Sequence, residues 1–298
     1  MIRRATADDL LPCHEVMFAS VSDFGRRNGT PLEGTADDWW KGSEAYHRFL
    51  AEHAVEWWVA EDPESGGVFG FARTIEREGL LELTEFFVLP GRQSAGVGRQ
   101  LIERAFPAGR GEVRSIIATT DVRALGRYYG SGTYPQFPFL SLAGTPFEAP
   151  VPRKLTAHEI DPESPDDLAA IREIEHSVLG FARGEAEVRW LLERRGGYRY
   201  LRDGSTVGFA FLGKEEHQGP IAAMEPGDLP GMLLHAETRA AELGLEKIEL
   251  QVPGPNETAA RHLLSRGFRI DPWVNLLMAN RPFGQFDRLL PFGPPLFL

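Results

Sequence analysis

The chain has 298 residues, 42% of them hydrophobic and 25% charged, the balance of a globular protein with a sizeable core. A net charge of −11, from 32 basic and 43 acidic residues, lacks the basic footprint that nucleic acid requires and excludes it as the main partner. No apolar run is long enough to cross a bilayer, no apolar leader opens the chain, and one cysteine forbids an internal disulfide, so the expectation is a cytoplasmic protein.

Leu10 to Phe18 reads as an early amphipathic helix in which Cys13 is a small core residue rather than a nucleophile. Its neighbour His14 points about 100° away on the helix and cannot activate it. Glu61 and Asp62 precede a turn and are read as solvent-facing. Leu80 to Val88 is an apolar strand carrying two carboxylates, Glu82 and Glu85. Their odd separation sends them to opposite faces, so one at most faces a ligand directly. Regular alternation places Glu85 with Leu83 and Phe87, and a bulge near Phe86 would reverse that parity.

The strand Phe86-Phe87-Val88 runs through Leu89-Pro90-Gly91-Arg92-Gln93-Ser94-Ala95-Gly96-Val97-Gly98-Arg99 into an amphipathic helix with Val97, Leu101, Ile102 and Ala105 on one face. The first backbone N–H groups of such a helix have no internal partners, and its dipole favours an anion there. Glycines at 96 and 98 clear side chains from those groups. A dinucleotide fingerprint would need glycine where Leu101 stands, and a P-loop would need Gly-Lys-Ser/Thr, which is absent. Downstream, Ser115 to Thr120 reads as a β-branched strand, Asp121 as the cap of the next helix, and Tyr128-Tyr129 as that helix's end.

These two segments, Gln93-x-x-Gly96-x-Gly98 after a strand and a capped helix reaching Tyr128 before Gly132, resemble the GNAT superfamily of acetyl-CoA-dependent N-acyltransferases. Thr133 departs from the family's usual phenylalanine. The resemblance implies a mixed α/β (α+β) fold, with a mostly antiparallel twisted sheet flanked by helices. It implies acetyl-CoA as cosubstrate, with Gln93 to Arg99 holding the pyrophosphate, Phe86, Phe87 and Val88 pairing with the pantetheine arm, and Asp121 at the second helix. Tyr128 becomes the proton donor to the departing thiolate. Glu85, or else Glu82, becomes the base, acting directly or through water, with solvated glutamates as the alternative. The segment from Val16 to Arg48 would cover the acceptor; Asp23, Glu33, Asp37, Asp38 and Glu44 could pair with an ammonium, with Trp39 and Trp40 as a wall or as core.

The chain also repeats itself. Gly66 to Ala72 is echoed by Gly204 to Ala210, and Asp121 to Gly132 by Asn256 to Phe268, on either side of a proline-rich linker from Pro146 to Pro152. Two tandem domains follow, 1–150 carrying the coenzyme site and 151–298 a degenerate copy. In the copy, Met232 and Leu234 stand opposite Gly96 and Gly98, and Leu263 opposite Tyr128. No His-x-x-x-His pair and no Gly-x-Ser-x-Gly elbow occur, so neither a metal site nor a serine hydrolase is expected. Transfer of acetyl to a primary amine of a small molecule or peptide is the reading, with non-enzymatic acyl-CoA binding or scaffolding as the alternative. Neither membrane nor nucleic acid is a partner in either case, and a homodimer is compatible with both.

Overall fold

A computed structural model describes residues 1–92, 96–148 and 154–292. By its internal contacts the chain divides into two compact units. One is Met1–Gln136 with Leu276–Arg281, and the other is Phe137–Asn275 with Pro282–Leu298. The change of unit therefore falls ahead of the proline-rich linker, and a short C-terminal segment returns to the first unit.

The first unit contains β1 (Ile2–Arg4), α1 (Leu10–Arg27), α2 (Ala36–Glu52), β2 (Glu56–Glu61), β3 (Val68–Arg77), β4 (Leu80–Val88), α3 (Val97–Ala105), β5 (Val113–Thr119) and α4 (Val122–Gly130). Local chemistry starts the helices where they begin. At α2, Asp38 N–H donates to Thr35 Oγ1 at 3.2 Å while Thr35 N–H donates to Asp38 Oδ2 at 3.1 Å, a reciprocal cap. At α4, Asp121 accepts from Arg123 N–H at 3.0 Å. The sheet runs β1-β2-β3-β4-β5, antiparallel from β1 to β4 and parallel between β4 and β5.

Parallel pairing of β4 with β5 extends only from Leu80↔Val113 to Leu83↔Ile116. Beyond it β4 continues to Val88 and β5 to Thr119 without pairing to each other, so the two strands splay. One face of the sheet packs Leu81, Leu83, Val88, Leu101, Ile102, Ile116 and Tyr128. The other packs Cys13, Val16, Trp57, Val59 and Phe71 against α1 and α2. Cys13 is core, at 2% exposure.

The second unit takes β6 (Tyr134–Gly144) from Phe137 onward, then β7 (Thr156–Glu159), α5 (Pro165–Leu179), α6 (Glu185–Arg195), β8 (Gly197–Arg202), β9 (Ser205–Phe211), β10 (Ile221–Ala223), α7 (Leu229–Glu242), β11 (Ile248–Pro253), α8 (Glu257–Ser265), β12 (Arg269–Ala279, as far as Asn275) and β13 (Leu289–Leu290). Strands β13-β10-β9-β8-β7 form one antiparallel sheet, and β6 pairs antiparallel with β11. The repeat is visible in this order, since β8-β9-β10-α7-β11-α8 retraces β2-β3-β4-α3-β5-α4. Among the described residues no helix is long and apolar enough to cross a membrane.

Candidate active site

The splay of β4 and β5 opens into a cleft of about 580 Å³, inside the usual range for small-ligand sites. Leu83 to Val88 and Ile116 to Thr119 line it, joined by Ser20, Val21 and Phe24 of α1, Gly98 of α3, and Asp121 and Tyr128. Along this stretch the facing edges of β4 and β5 do not complete a ladder with each other.

Helix α3 enters the cleft through Gly96, whose φ of +75° is left-handed and suits glycine. At Gly98 a Cβ would come 3.1 Å from Phe86 Cζ, so the ring lies against bare backbone. Phe86, Phe87 and Val88 line the cleft, as does Asp121. Val97 begins α3 and packs beside the core, while Arg99 points outward and pairs with Glu103 at 2.7 Å. Gln93, Ser94 and Ala95 lie outside the described residues. A second hollow of about 460 Å³ lies between α3 and α4, with Arg99, Arg114 and Arg127 in its walls.

Of the paired tyrosines, Tyr128 faces the cleft at 6% exposure, and its hydroxyl bonds to none of the described residues. Burial pushes its phenol pKa up, with the Asp121 charge adding to the effect, so the group stays protonated. Tyr129 is 51% exposed and packs edge-on against Tyr134. Thr133, where the family motif has phenylalanine, is buried and donates its hydroxyl to Tyr128 O at 3.0 Å, closing the helix end by hydrogen bonding instead.

The two glutamates depart from simple alternation. Arg73 pairs with Glu85 but Thr74 with Leu83, so Thr84 is the extra residue of a bulge. The bulge sits two residues before Phe86 and puts Glu82 and Glu85 on one face of the sheet. They nonetheless differ in kind. Glu82 bonds Arg77 Nη1 at 2.9 Å and does not line the cleft, which removes it from direct contact with a ligand there. Glu85 lines the cleft and is buried, accepting from Arg73 Nε at 2.6 Å and lying 3.2 Å from His47 Nδ1 through its Oε1. Burial alone would raise its carboxyl, but the Arg73 charge and the His47 contact outweigh that and hold it at about 2.

Arg73, His47 and His14 are functional candidates that sequence reasoning missed. His47 Nε2 lies 3.3 Å from His14 Nδ1, and His14 Nε2 lies 2.8 Å from Ala36 O. Trp40 stacks parallel to His47 with centroids 6.0 Å apart. The available signal was the i,i+7 spacing of Trp40 and His47, which puts both on the inner face of α2.

At the cleft's rim, Asp121 Oδ2 accepts from Arg27 Nη2 and Arg123 Nη2, each at 2.7 Å, and Asp23 Oδ2 accepts from Arg27 Nε at 3.0 Å. This exposed network ties the end of α1 to the start of α4. Burial raises the Asp121 carboxyl, and the Arg123 and Arg27 bonds more than offset it, holding it at about 2. Asp23 is thus engaged by arginines, as is Asp62, which pairs with Arg92. Trp39 and Trp40 are half-buried against the core beneath α1.

The corresponding region of the second unit is built differently. Met232 is fully buried, and a Cβ on Gly208 would meet its Sδ at 2.9 Å. The outer edge of β10 is covered by β13, with Ile221↔Leu290 and Ala222↔Leu289 in register, and Asn256 Nδ2 donates to Leu289 O at 3.2 Å. Leu263 is fully buried in that unit's core.

Residues 22–129 match the model of the Acetyltransferase (GNAT) family, a stretch that lies within the first unit. The fold is shared with an inferred acetyltransferase from Pyrococcus horikoshii at a TM-score of 0.70 and 16% identity, over 97% of this chain and 92% of that one. A GCN5-related N-acetyltransferase from Sphaerobacter thermophilus gives 0.63 and 17%, over 95% and 96%. A tandem GNAT protein from the clavulanic acid biosynthesis pathway gives 0.57 and 16%, over 95% and 98%. No curated protein sequence matches the chain.

Proposed function

We propose that this protein is an N-acetyltransferase that moves an acetyl group from acetyl-CoA to a primary amine of a small molecule or peptide by direct attack, with the chemistry in the first unit. The observation that carries the reading is the convergence, on one cleft beside the start of α3, of a protonated phenol that bonds to none of the described residues and a buried carboxylate. The cleft fits an extended thioester arm. The stretch of β4 that parts from β5 beyond Leu83 runs along it, and Gly98 keeps its floor free of a side chain. Arg99 and Arg127, near the free N–H groups of α3, suit the anionic end of the coenzyme.

In this reading, an amine reaches the thioester carbonyl from the α1 side, between Ser20, Phe24 and Phe87. Glu85 attracts the ammonium and aligns it. Its own affinity for a proton is low because Arg73 holds it ionised. Tyr128 O–H hydrogen-bonds the sulfur as negative charge develops there. Because burial raises the phenol, most of its effect is that hydrogen bond, with transfer of the proton completing as the thiol leaves.

Coenzyme binding is assigned to the first unit alone. Met232 packed on Gly208 and β13 along β10 support the view that the second unit has lost its cleft. The test is an amine panel with acetyl-CoA, read by free thiol, alongside thermal shifts. A coenzyme-dependent shift with no thiol released from any amine would favour a binding or scaffolding protein instead.

A further inference from the structure

The ring of Tyr128 is buried, yet its hydroxyl bonds to none of the described residues. The bonds that close the end of α4, from Thr133 N–H at 3.1 Å and Thr133 Oγ1 at 3.0 Å, reach its backbone carbonyl instead. Packing therefore places the ring, and a hydroxyl that must meet one sulfur needs a narrow placement. Phe86 supplies an aromatic contact. Its ring meets Tyr128 in a T-shaped pair, with centroids 6.0 Å apart and planes at 68°, an arrangement that aromatic quadrupoles favour.

Phe86 is in turn seated on α3. A Cβ on Gly98 would stand 3.1 Å from Phe86 Cζ, closer than ordinary van der Waals contact, with Phe86 Cε2 at 3.8 Å and Val88 Cγ2 at 3.9 Å. A Cβ on Gly96 would meet nothing within 4 Å, and there the left-handed φ is what calls for glycine. The two glycines thus answer different needs. The bulge at Thr84 delivers Phe86 to this face: Leu81 and Leu83 lie in the core beneath α3 and α4, and beyond the extra residue Phe86 and Val88 rejoin it.

We propose that Phe86, seated on the bare backbone of Gly98, is a positioning residue that aims the Tyr128 hydroxyl at the thioester sulfur. It acts through Tyr128 and forms no bond in the reaction. Its placement of the ring stands on these contacts, whereas its effect on turnover rests on the acetyltransferase reading.

A change at position 98 should then reach the phenol without touching it. The three atoms nearest to an added methyl belong to Phe86 and Val88, so the phenylalanine must give way by a few tenths of an ångström. The tyrosine ring packed against it moves as well. Leucine at 86 lacks Cζ and makes room for that methyl, but it offers Tyr128 no aromatic partner.

The test combines Gly98→Ala, Phe86→Leu and Tyr128→Phe, singly and in pairs. Without ligand, carbon NMR of the tyrosine rings should show the Tyr128 signals moved by Gly98→Ala and those of Tyr129 unmoved. In the Phe86→Leu background, Gly98→Ala should leave the Tyr128 signals where Phe86→Leu alone puts them. With an amine and acetyl-CoA, kcat should fall about threefold in Gly98→Ala and about tenfold in Phe86→Leu, the acetyl-CoA thermal shift being retained in both. Each loss should shrink below about twofold in the Tyr128→Phe background, because the group being aimed is gone. Losses that multiply undiminished through Tyr128→Phe overturn the proposal, since damage to the fold alone behaves that way. Tyr128 signals that ignore Gly98→Ala overturn it too, and this holds even if Phe86→Leu fails to fold. Failure of every amine to release thiol removes the acetyltransferase reading and the effect on turnover with it, while the spectra still decide whether Phe86 and Gly98 place the ring.

Discussion

Glu85 stands where a carboxylate is costly, and its neighbours make it tolerable. Arg73 and His47 compensate a charge that is 3% exposed. Glu85→Gln leaves Arg73 buried without its counter-charge, and the expected loss of stability is about 3–5 kcal/mol, read from urea midpoints at neutral pH. The folded carboxyl is held at about 2, below its usual 4.5, so the pair stabilises fully above about pH 5 and loses that contribution as pH falls toward 2. The gap between wild type and Glu85→Gln should therefore narrow measurably by about pH 3. Glu82→Gln should also destabilise, through Arg77, yet leave turnover unchanged because Glu82 does not reach the cleft. Tyr128→Phe keeps the ring and its packing. Turnover should drop about 10²-fold with coenzyme affinity nearly constant, and Tyr129→Phe should do nothing. The reverse pattern would mean that the exposed ring, not the buried one, serves the sulfur.

Secondary elements decide what those residues can reach. The bulge at Thr84 is the clearest case, since one extra residue in β4 carries Glu85 to the side of α1 and α2. Its existence was open in the sequence, where the strand reads as regular alternation with two glutamates on opposite faces. Bulges arise from pairing between strands, and pairing is not written in either strand alone. The start of α3 was more legible, because an apolar helical face and two glycines fix a helix end locally. Gly96→Leu forces a side chain into left-handed backbone and over the first N–H groups of α3. The apo protein should stay folded with a loss of about 1–2 kcal/mol, while the melting shift on adding acetyl-CoA disappears. A full shift in this variant would refute the cradle. The cap of α4 was legible for the same local reason, but its arginine partners were not: Arg27 lies 94 residues away in the chain.

At the scale of the molecule the two halves share an order of elements and diverge where a ligand would sit. In the first unit β4 and β5 part and leave a cleft; in the second the edge of the short β10 is taken by β13. Titration calorimetry should accordingly find one acetyl-CoA per chain, giving a stabilisation that grows with ligand concentration by mass action. Two equivalent sites would overturn the assignment of the second unit. Recognition of the repeat came from paired motifs, and it survives in the glycines Gly70 and Gly208, each at the start of a strand packed closely on the next. The placement of Leu276–Arg281 with the first unit had no signal in the sequence.

The sequence by itself determined the features that rest on neighbouring residues: the helix that starts after Gly96, the cap at Asp121, Tyr128 at the end of its helix, and the repeated order of elements. Each depends on periodicity, capping or turn chemistry within a few positions, and those act before any distant contact forms. Tertiary structure decided which carboxylate faces the cleft, that Arg73 holds it ionised, and that His47 and His14 stand in line behind it. These depend on a bulge in strand pairing and on two helices laid across a sheet, and burial gives such contacts their strength. A lone histidine in an amphipathic helix carries no mark of its partners until the core closes around it.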